Sequence, residues 1–166
     1  MLHRIKTLVT SQDGFTLIEL MVVVGILAVL LLMSMSAMIG ARARAQDSAA
    51  KATAAVALET GRVVFTDRAT YSAADTATLT ATEPSVRFVG ATVQSDESGK
   101  ASTDVPDALT TGHQFIAAVY SASGKCFFVR DWTTIGIGYA AVAVASPADC
   151  TAGNAPAIFG SRWPTG

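Results

Sequence analysis

Charged residues are scarce in this chain of 166 residues, and their scarcity excludes one large class of partners. They make up 15% of the sequence, and the formal net charge is −1. A protein whose main ligand is nucleic acid carries a basic patch, because contacts to phosphates supply much of the affinity. We therefore expect no specific nucleic-acid partner. The sequence also has no internal repeat, no run of like charge and no proline-rich linker.

Side chains suited to catalysis or metal binding are few as well. His3 and His113 lie far apart, and His113 has no acidic or metal-ligating neighbour in sequence. Two cysteines alone cannot complete a four-ligand zinc site. The Gly-Lys pair in SASGKC lacks the upstream glycine of a phosphate-binding loop. We expect no enzyme, no catalytic residue and no cofactor.

An acidic stretch is the one alternative for a metal. Asp104 and Asp107 flank Pro106 in a predicted loop and could bind Ca²⁺ together with Asp96 and Glu97. Their spacing does not match an EF-hand loop. A solvated acidic loop is the favoured interpretation, so we expect no metal.

The strongest feature that is present is a long apolar run over residues 15–38, preceded by the short leader MLHRIKTLVTSQDG. As a helix this run is about 36 Å long at about 1.5 Å per residue. That length is enough to cross a bilayer core of about 30 Å with some tilt. Arg4 and Lys6 favour an N-terminus inside the cell, but Arg42 and Arg44 directly after the run weaken that argument, so charge counting alone does not settle the orientation. Glu19 is its only charge, and an unpaired charge at membrane depth usually has a function.

Three interpretations of this segment are open. Ala43-Arg44-Ala45 has the A-x-A form of a signal-peptidase site, but the apolar run is longer than that of a secretory signal peptide. A plain signal anchor is the second interpretation. The third rests on Gly14-Phe15-Thr16-Leu17-Ile18-Glu19: a basic leader, GFTLIEL and an apolar helix resemble the class III signal of type IV prepilins and pseudopilins.

This resemblance implies a processing route and an assembly. A prepilin peptidase would cut after Gly14 and methylate the new amino terminus on Phe15. The precursor would sit in the cytoplasmic membrane with its N-terminus inside and its head outside. The mature chain would then polymerise into a helical homo-oligomeric filament at the cell surface, using an assembly platform and its ATPase. A type II secretion pseudopilin is the closest alternative, and a single-span membrane-anchored binding domain is a more distant one.

Glu19 has a specific role under this interpretation. Cutting after Gly14 creates an α-amino cation on Phe15, within one helical turn of Glu19. A buried carboxylate needs a partner, so Glu19 of one subunit would pair with the Phe15 amine of a neighbour and set the assembly register. The alternative is a tolerated interfacial carboxylate.

The rest of the chain predicts an α+β fold: one long N-terminal helix packed on a small antiparallel β-sheet head, the pilin fold. We expect this helix from about Thr16 to Thr66, with an apolar face formed by Ala45, Ala49, Ala52, Val56 and Val63, and with Gly61 bending or ending it early. A short helix is expected around residues 74–80. Strands are expected in three to five segments, among them SVRFVGATV, TIGIGYAAVAVA and a hairpin in which HQFIAAVYS and KCFFVRDW flank residues 122–124. The predicted organisation is a leader at residues 1–14, an apolar helix at 15–40, an amphipathic continuation at 41–66 and a head at 67–166.

Cys126 and Cys150 form an even pair, which in an exported chain indicates one disulfide bond. Such a bond would close about 25 residues and stabilise the fold by roughly 3–4 kcal/mol. The resemblance agrees, because many type IV pilins carry a C-terminal disulfide. Two buried free thiols are the alternative. Tyr71 is expected to seal the seam between helix and sheet, Trp132 to lie at the hairpin end, and Trp163 to cover the head or touch a neighbouring subunit.

Overall fold

The computed structural model describes residues 14–106 and 112–164, without the side chains of residues 34–37. The chain divides into two compact units between Gly40 and Ala41. Most of the predicted leader, with Arg4 and Lys6, and Asp107 lie outside the described residues. The predicted α+β class is confirmed: a long helix is followed by a five-stranded, mostly antiparallel sheet.

The long helix, α1, runs Leu17–Arg68. It ends where Ala69 takes a left-handed conformation with φ of 56°, the conformation in which many helices terminate. Gly61 does not end it early, since the helix continues for seven more residues, and the structure gives this glycine a packing role. A Cβ atom at Gly61 would lie 2.9 Å from two ring carbons of Phe115. A glycine here therefore lets the sheet approach the helix closely.

The predicted apolar face of α1 is wrong. Ala45, Ala49, Ala52, Val56 and Val63 are all exposed. The buried face is a different stripe at helical spacing. Its members are Ala50, Ala54, Ala57, Leu58, Gly61 and Val64. Alanine occupies both faces, so periodicity alone did not distinguish them.

Two short helical segments follow α1. The chain forms a 3-10 helix at Tyr71–Ala73 and then α2 at Thr76–Thr82. Asp75 caps α2, since the Thr78 amide donates to its Oδ1 at 2.7 Å. A carboxylate at this position satisfies one of the amides that the first turn leaves unpaired.

The sheet has five strands in sequential order. They are β1 (Arg87–Val89), β2 (Lys100–Asp104), β3 (Gln114–Ser121), β4 (Lys125–Trp132) and β5 (Gly136–Ala143). The predicted hairpin is β3–β4, which turns at Gly124 with φ of 86°. Two features differ from the prediction. Strand β2 was missed, and it pairs in parallel with β1, so that the sheet is not wholly antiparallel.

Polar side chains explain why β2 does not look like a strand. Ser102 and Thr103 are buried, and their hydroxyls donate to the carbonyls of Gly90 and Val89 at 3.1 and 3.2 Å. These bonds satisfy the hydroxyls inside the head. A strand of KASTD is therefore stable only in its tertiary setting.

Each face of the sheet carries its own apolar cluster. On one face, Phe115, Val119 and Phe127 pack with the buried stripe of α1. On the other, Ile116 and Phe128 pack with the C-terminal segment. The sequence predicted only the first layer.

The C-terminal segment is fixed to the head at several points. Cys150 forms a disulfide with Cys126 of β4, with a Cα–Cα distance of 5.4 Å. The Ala152 amide donates to Ser102 Oγ at 2.9 Å. Further on, Gly160 bridges Tyr139 of β5. The segment thus passes from one face of the sheet around the β5 edge.

Candidate functional site

The motif at the start of the described chain is open and accessible. Gly14, Phe15 and Thr16 precede the helix, which begins at Leu17. Apart from Gly14 itself and its chain neighbours, no heavy atom of the described residues lies within 4 Å of a Cβ placed on Gly14, and Phe15 is 85% exposed. The Gly14–Phe15 peptide bond therefore lies in exposed, non-helical backbone, the kind of segment that a protease can take into its active site.

Glu19 closes a capping box at the start of α1. Its Oε2 accepts from the Thr16 hydroxyl at 3.0 Å and from the Thr16 amide at 3.3 Å. In return, the Glu19 amide donates to Thr16 Oγ1 at 3.3 Å. The carboxylate also lies in the first turn, where the helix dipole favours negative charge. Glu19 is thus already engaged within its own chain.

Sequence reasoning missed this local partner, although a signal for it was present. Thr16-Leu17-Ile18-Glu19 has the T-x-x-E form of a capping box before an apolar run. A pairing of Glu19 with a neighbour's amine, as expected from the sequence, would therefore replace its hydrogen bonds to Thr16.

The helix that follows the motif presents apolar side chains on all sides. The large apolar residues of positions 15–33 are 49–85% exposed. Within the described part of the chain, no single helix is long and apolar enough to cross a membrane, whereas Leu17–Met33 and Met38–Arg68 together satisfy that test by length and composition.

A second polar site joins α1 to the β3–β4 turn. Asp47 accepts hydrogen bonds from the hydroxyls of Ser121, at 2.7 Å, and Ser123. Lys125 Nζ lies 3.4 Å from its other oxygen. Partial burial opposes ionisation of Asp47, but the hydroxyl bonds and the Lys125 cation outweigh it and lower its pKa. This site holds a charged carboxylate in the helix–sheet seam.

The candidate calcium residues do not gather. Asp96 pairs with Lys100 at 3.1 Å, and Glu97 pairs with Arg87 at 3.5 Å. Asp104 ends strand β2 and does not lie in a loop as expected; burial raises its pKa. Across residues 14–106 and 112–164 there is no group of three or more histidine, cysteine or acidic side chains that could hold a metal ion.

The remaining residues singled out by sequence are structural. Tyr71 is 1% exposed and donates its hydroxyl to Asp131 Oδ2 at 2.8 Å, while its ring contacts Phe65. It seals the helix–sheet seam as expected. His113 is exposed beside the first residue of β3, and Trp132 is the last residue of β4. Trp163 packs against Phe127 and Tyr139, with centroid distances of 5.5 and 4.9 Å.

Comparison with known proteins identifies the first of these sites. Residues 10–35 match the family model of the prokaryotic N-terminal methylation motif, the class III signal of type IV pilins and pseudopilins. This match supports a type IV pilin-like or pseudopilin-like protein and points to a structural role. Neither the curated proteins nor the solved structures gave a match.

Proposed function

We propose that this chain is a structural subunit of a type IV pilus or a related filament. It enters the membrane as a prepilin, is cut after Gly14, is N-methylated on Phe15 and polymerises through its N-terminal helix. The observation that carries the proposal is the methylation motif at residues 10–35, with the Gly14–Phe15 bond exposed directly before α1. The proposed segments are a leader at residues 1–14, an apolar helix at 15–40, a continuation at 41–66 and a head at 67–166.

The proposed location follows from the motif and the leader. Arg4 and Lys6 favour retention of the N-terminus in the cytoplasm, and the head is then outside. Oxidising conditions there agree with the Cys126–Cys150 disulfide. The subunit moves from the cytoplasmic membrane to a surface filament. Its proposed partners are a prepilin peptidase, an assembly platform with an ATPase, and further copies of itself.

Assembly depends on cleavage because the new amino terminus supplies the counter-ion that Glu19 needs. The cut places an α-amino cation at Phe15, beside the N-terminus of α1, where the helix dipole disfavours positive charge. A carboxylate that enters the apolar core of a filament also needs a counter-ion. Pairing Glu19 of one subunit with the Phe15 amine of the next satisfies both groups. A subunit docked in another register leaves both charges unpaired.

The same motif serves the pseudopilins of type II secretion, which form the second candidate. The disulfide near the C-terminus is the feature that favours a surface pilus. Both candidates share the processing and assembly steps, so the experiments below apply to either.

Processing is tested by coexpressing the full chain with a prepilin peptidase. Mass spectrometry of the product should show an N-terminus at Phe15 carrying the mass of one added methyl group. Gly14→Val should leave the leader attached, because a branched side chain at Gly14 obstructs the peptidase. Ala43→Val is the matched control and should be cut normally. An uncut wild-type chain, or a cut after Ala45, contradicts the proposal.

The role of Glu19 is tested with a pair of variants that separate capping from register. Glu19→Ala removes the carboxylate, whereas Thr16→Ala removes the capping hydroxyl and keeps the carboxylate. Both should be cut and methylated. We expect filament yield to fall by about tenfold or more in Glu19→Ala, since loss of one partner of a buried ion pair costs several kcal/mol.

Thr16→Ala should retain most filaments, because a lost cap costs only about 1 kcal/mol. If filament yield falls equally in the two variants, Glu19 acts only as a helix cap. Normal filaments from Glu19→Ala would eliminate the register role.

A further inference from the structure

A basic depression lies between α1 and strands β4 and β5. Its volume is about 430 Å³, and Arg44, Lys51 and Lys125 are among its lining residues. Its one carboxylate, Asp47, is committed to two serine hydroxyls and to Lys125. Over the described residues, no ion pair engages Arg44 or Lys51. The depression is therefore positively charged and open to an anionic group.

The position of Lys51 shows that this cation is held in place. Its Nζ lies 5.1 Å from the ring centroid of Phe127 and 6.0 Å from that of Trp163. Aromatic faces attract an ammonium group without neutralising it. Lys51 is thus positioned, charged and without a carboxylate partner in the described chain.

Farther along the same helix, the surface is acidic. Two shallow grooves of about 450 and 290 Å³ adjoin α1 here. Glu59 lines both grooves, Glu83 lines the first and Asp67 the second. Arg62 is shared between Glu59 and Asp131, so it cannot neutralise all of these carboxylates.

An exposed apolar stripe runs along α1 beside these charges. It consists of Ala45, Ala49, Ala52, Val56 and Val63, the face that sequence analysis expected to be buried. Val56 and Val63 are 39% and 48% exposed, and both line the first groove. The stripe is thus bordered by basic side chains near its start and by acidic side chains near its end. An exposed apolar surface with charges of both signs around it is typical of a protein-binding surface.

We propose that this surface docks a second copy of the chain, with the basic depression of one head receiving the acidic surface of the next. The inference rests on the filament of the proposed function, which places copies in parallel. Lys51 and Glu59 are eight residues apart, or about 12 Å along the helix at about 1.5 Å per residue. Two parallel copies displaced by about that distance bring Lys51 of one level with Glu59 of the other.

Charge complementarity favours a second copy as the occupant. Within one chain, the two surfaces are separated by more than the Debye length of about 8 Å at physiological salt, so each remains largely unneutralised. Between copies they meet directly. Because the two surfaces differ, the contact is heterologous, and a heterologous contact that does not close generates an open helical filament.

Charge-reversed pairs of variants test this contact. Basic-reversed chains carry Arg44→Glu and Lys51→Glu, and acid-reversed chains carry Glu59→Lys and Glu83→Lys. In a filament of either variant alone, like charges face each other across the contact. Because like charges at an interface are strongly unfavourable, we expect roughly a tenfold loss of filament mass. Mixed in equal amounts, the two variants should copolymerise in alternation and restore filaments. A single chain carrying all four reversals should also assemble.

Two controls keep the test specific. Arg87→Glu reverses an exposed cation elsewhere on the head, which pairs with exposed Glu97, and should assemble like the wild type. Restoration in the mixture shows that both variants fold. Should basic-reversed or acid-reversed chains alone form normal filaments, or should their mixture fail while both heads fold, the contact is overturned.

The outcome separates this inference from the function on which it rests. Leader cutting and the Glu19→Ala defect are measured in the same cells. Normal cutting, normal wild-type filaments and assembly insensitive to charge reversal would remove the head contact and leave the pilin proposal standing. An absence of filaments from cut wild-type chains would remove both.

Discussion

At the scale of single residues, Gly61 decides how closely helix and sheet pack. Its Cα faces the ring of Phe115, which is completely buried. A glycine in a helix interior costs about 1 kcal/mol relative to alanine. At this position the absence of a Cβ atom leaves room for the ring, which outweighs that cost.

We therefore expect Gly61→Ala to destabilise the head despite its better helix propensity. The added methyl group would lie 2.9 Å from ring carbons of Phe115, and overpacking of this kind costs about 1–3 kcal/mol. Denaturant unfolding of the full chain in detergent measures the effect. In a Phe115→Leu background the same substitution should be nearly neutral or stabilising. A stabilising Gly61→Ala in the native background would contradict this packing role.

The same residues show what sequence could and could not predict. The α1 helix was predictable because its first half is uninterrupted apolar sequence and its second half is rich in alanine. The buried face of that second half was not, because alanines at 50 and 54 resemble alanines at 49 and 52. The processing motif needed no tertiary information, since it lies in consecutive residues.

At the scale of elements, the Asp47 site ties α1 to the β3–β4 hairpin. Three donors from the turn region converge on one carboxylate. No sequence signal linked Asp47 to residues more than 70 positions away. The hairpin itself was predictable, because two apolar runs flank a glycine-containing turn. Strand β2 was not, because its buried polar side chains are satisfied by tertiary hydrogen bonds, to the β1 region and to the C-terminal segment.

Asp47 makes the stability of the head depend on pH. Its pKa is lower in the folded chain than the unfolded value of about 3.8. A lowered carboxyl pKa contributes stability that is fully present above the unfolded pKa and is lost as pH falls through the folded pKa.

Asp47→Asn should therefore lower the free energy of unfolding by about 1–2 kcal/mol near neutral pH, because the substitution replaces hydrogen bonds to a charged carboxylate with bonds to a neutral amide. The difference from the wild type should vanish in acid, once Asp47 is protonated. Denaturant unfolding curves of the wild type and of Asp47→Asn, recorded from neutral pH down to acid, measure this difference. Glu97→Gln, which removes an exposed ion pair, serves as the control and should cost little. A constant Asp47→Asn effect at all pH values would refute the assignment.

At the scale of the whole molecule, the head is a sheet covered on both faces. The buried stripe of α1 covers one face, and the disulfide-tethered C-terminal segment covers the other. The first layer and the pairing of the cysteines were predictable from the sequence, but the path of the last residues was not. That path depends on contacts such as Gly138 with Phe159, where a Cβ would lie 2.6 Å from the Phe159 side chain. Such contacts have no local sequence pattern.

The bridge between Gly160 and Tyr139 has a consequence for the kinds of polymer that this chain can form. Both the amide and the carbonyl of Tyr139 on the outer edge of β5 are bonded to Gly160, at 2.8 and 2.9 Å. At the opposite edge, β1 is only three residues long. Short or covered edges resist the addition of a foreign strand. In the proposed filament, neighbouring heads would therefore be held by side-chain contacts, and such junctions could open and re-form while each head keeps its own sheet intact.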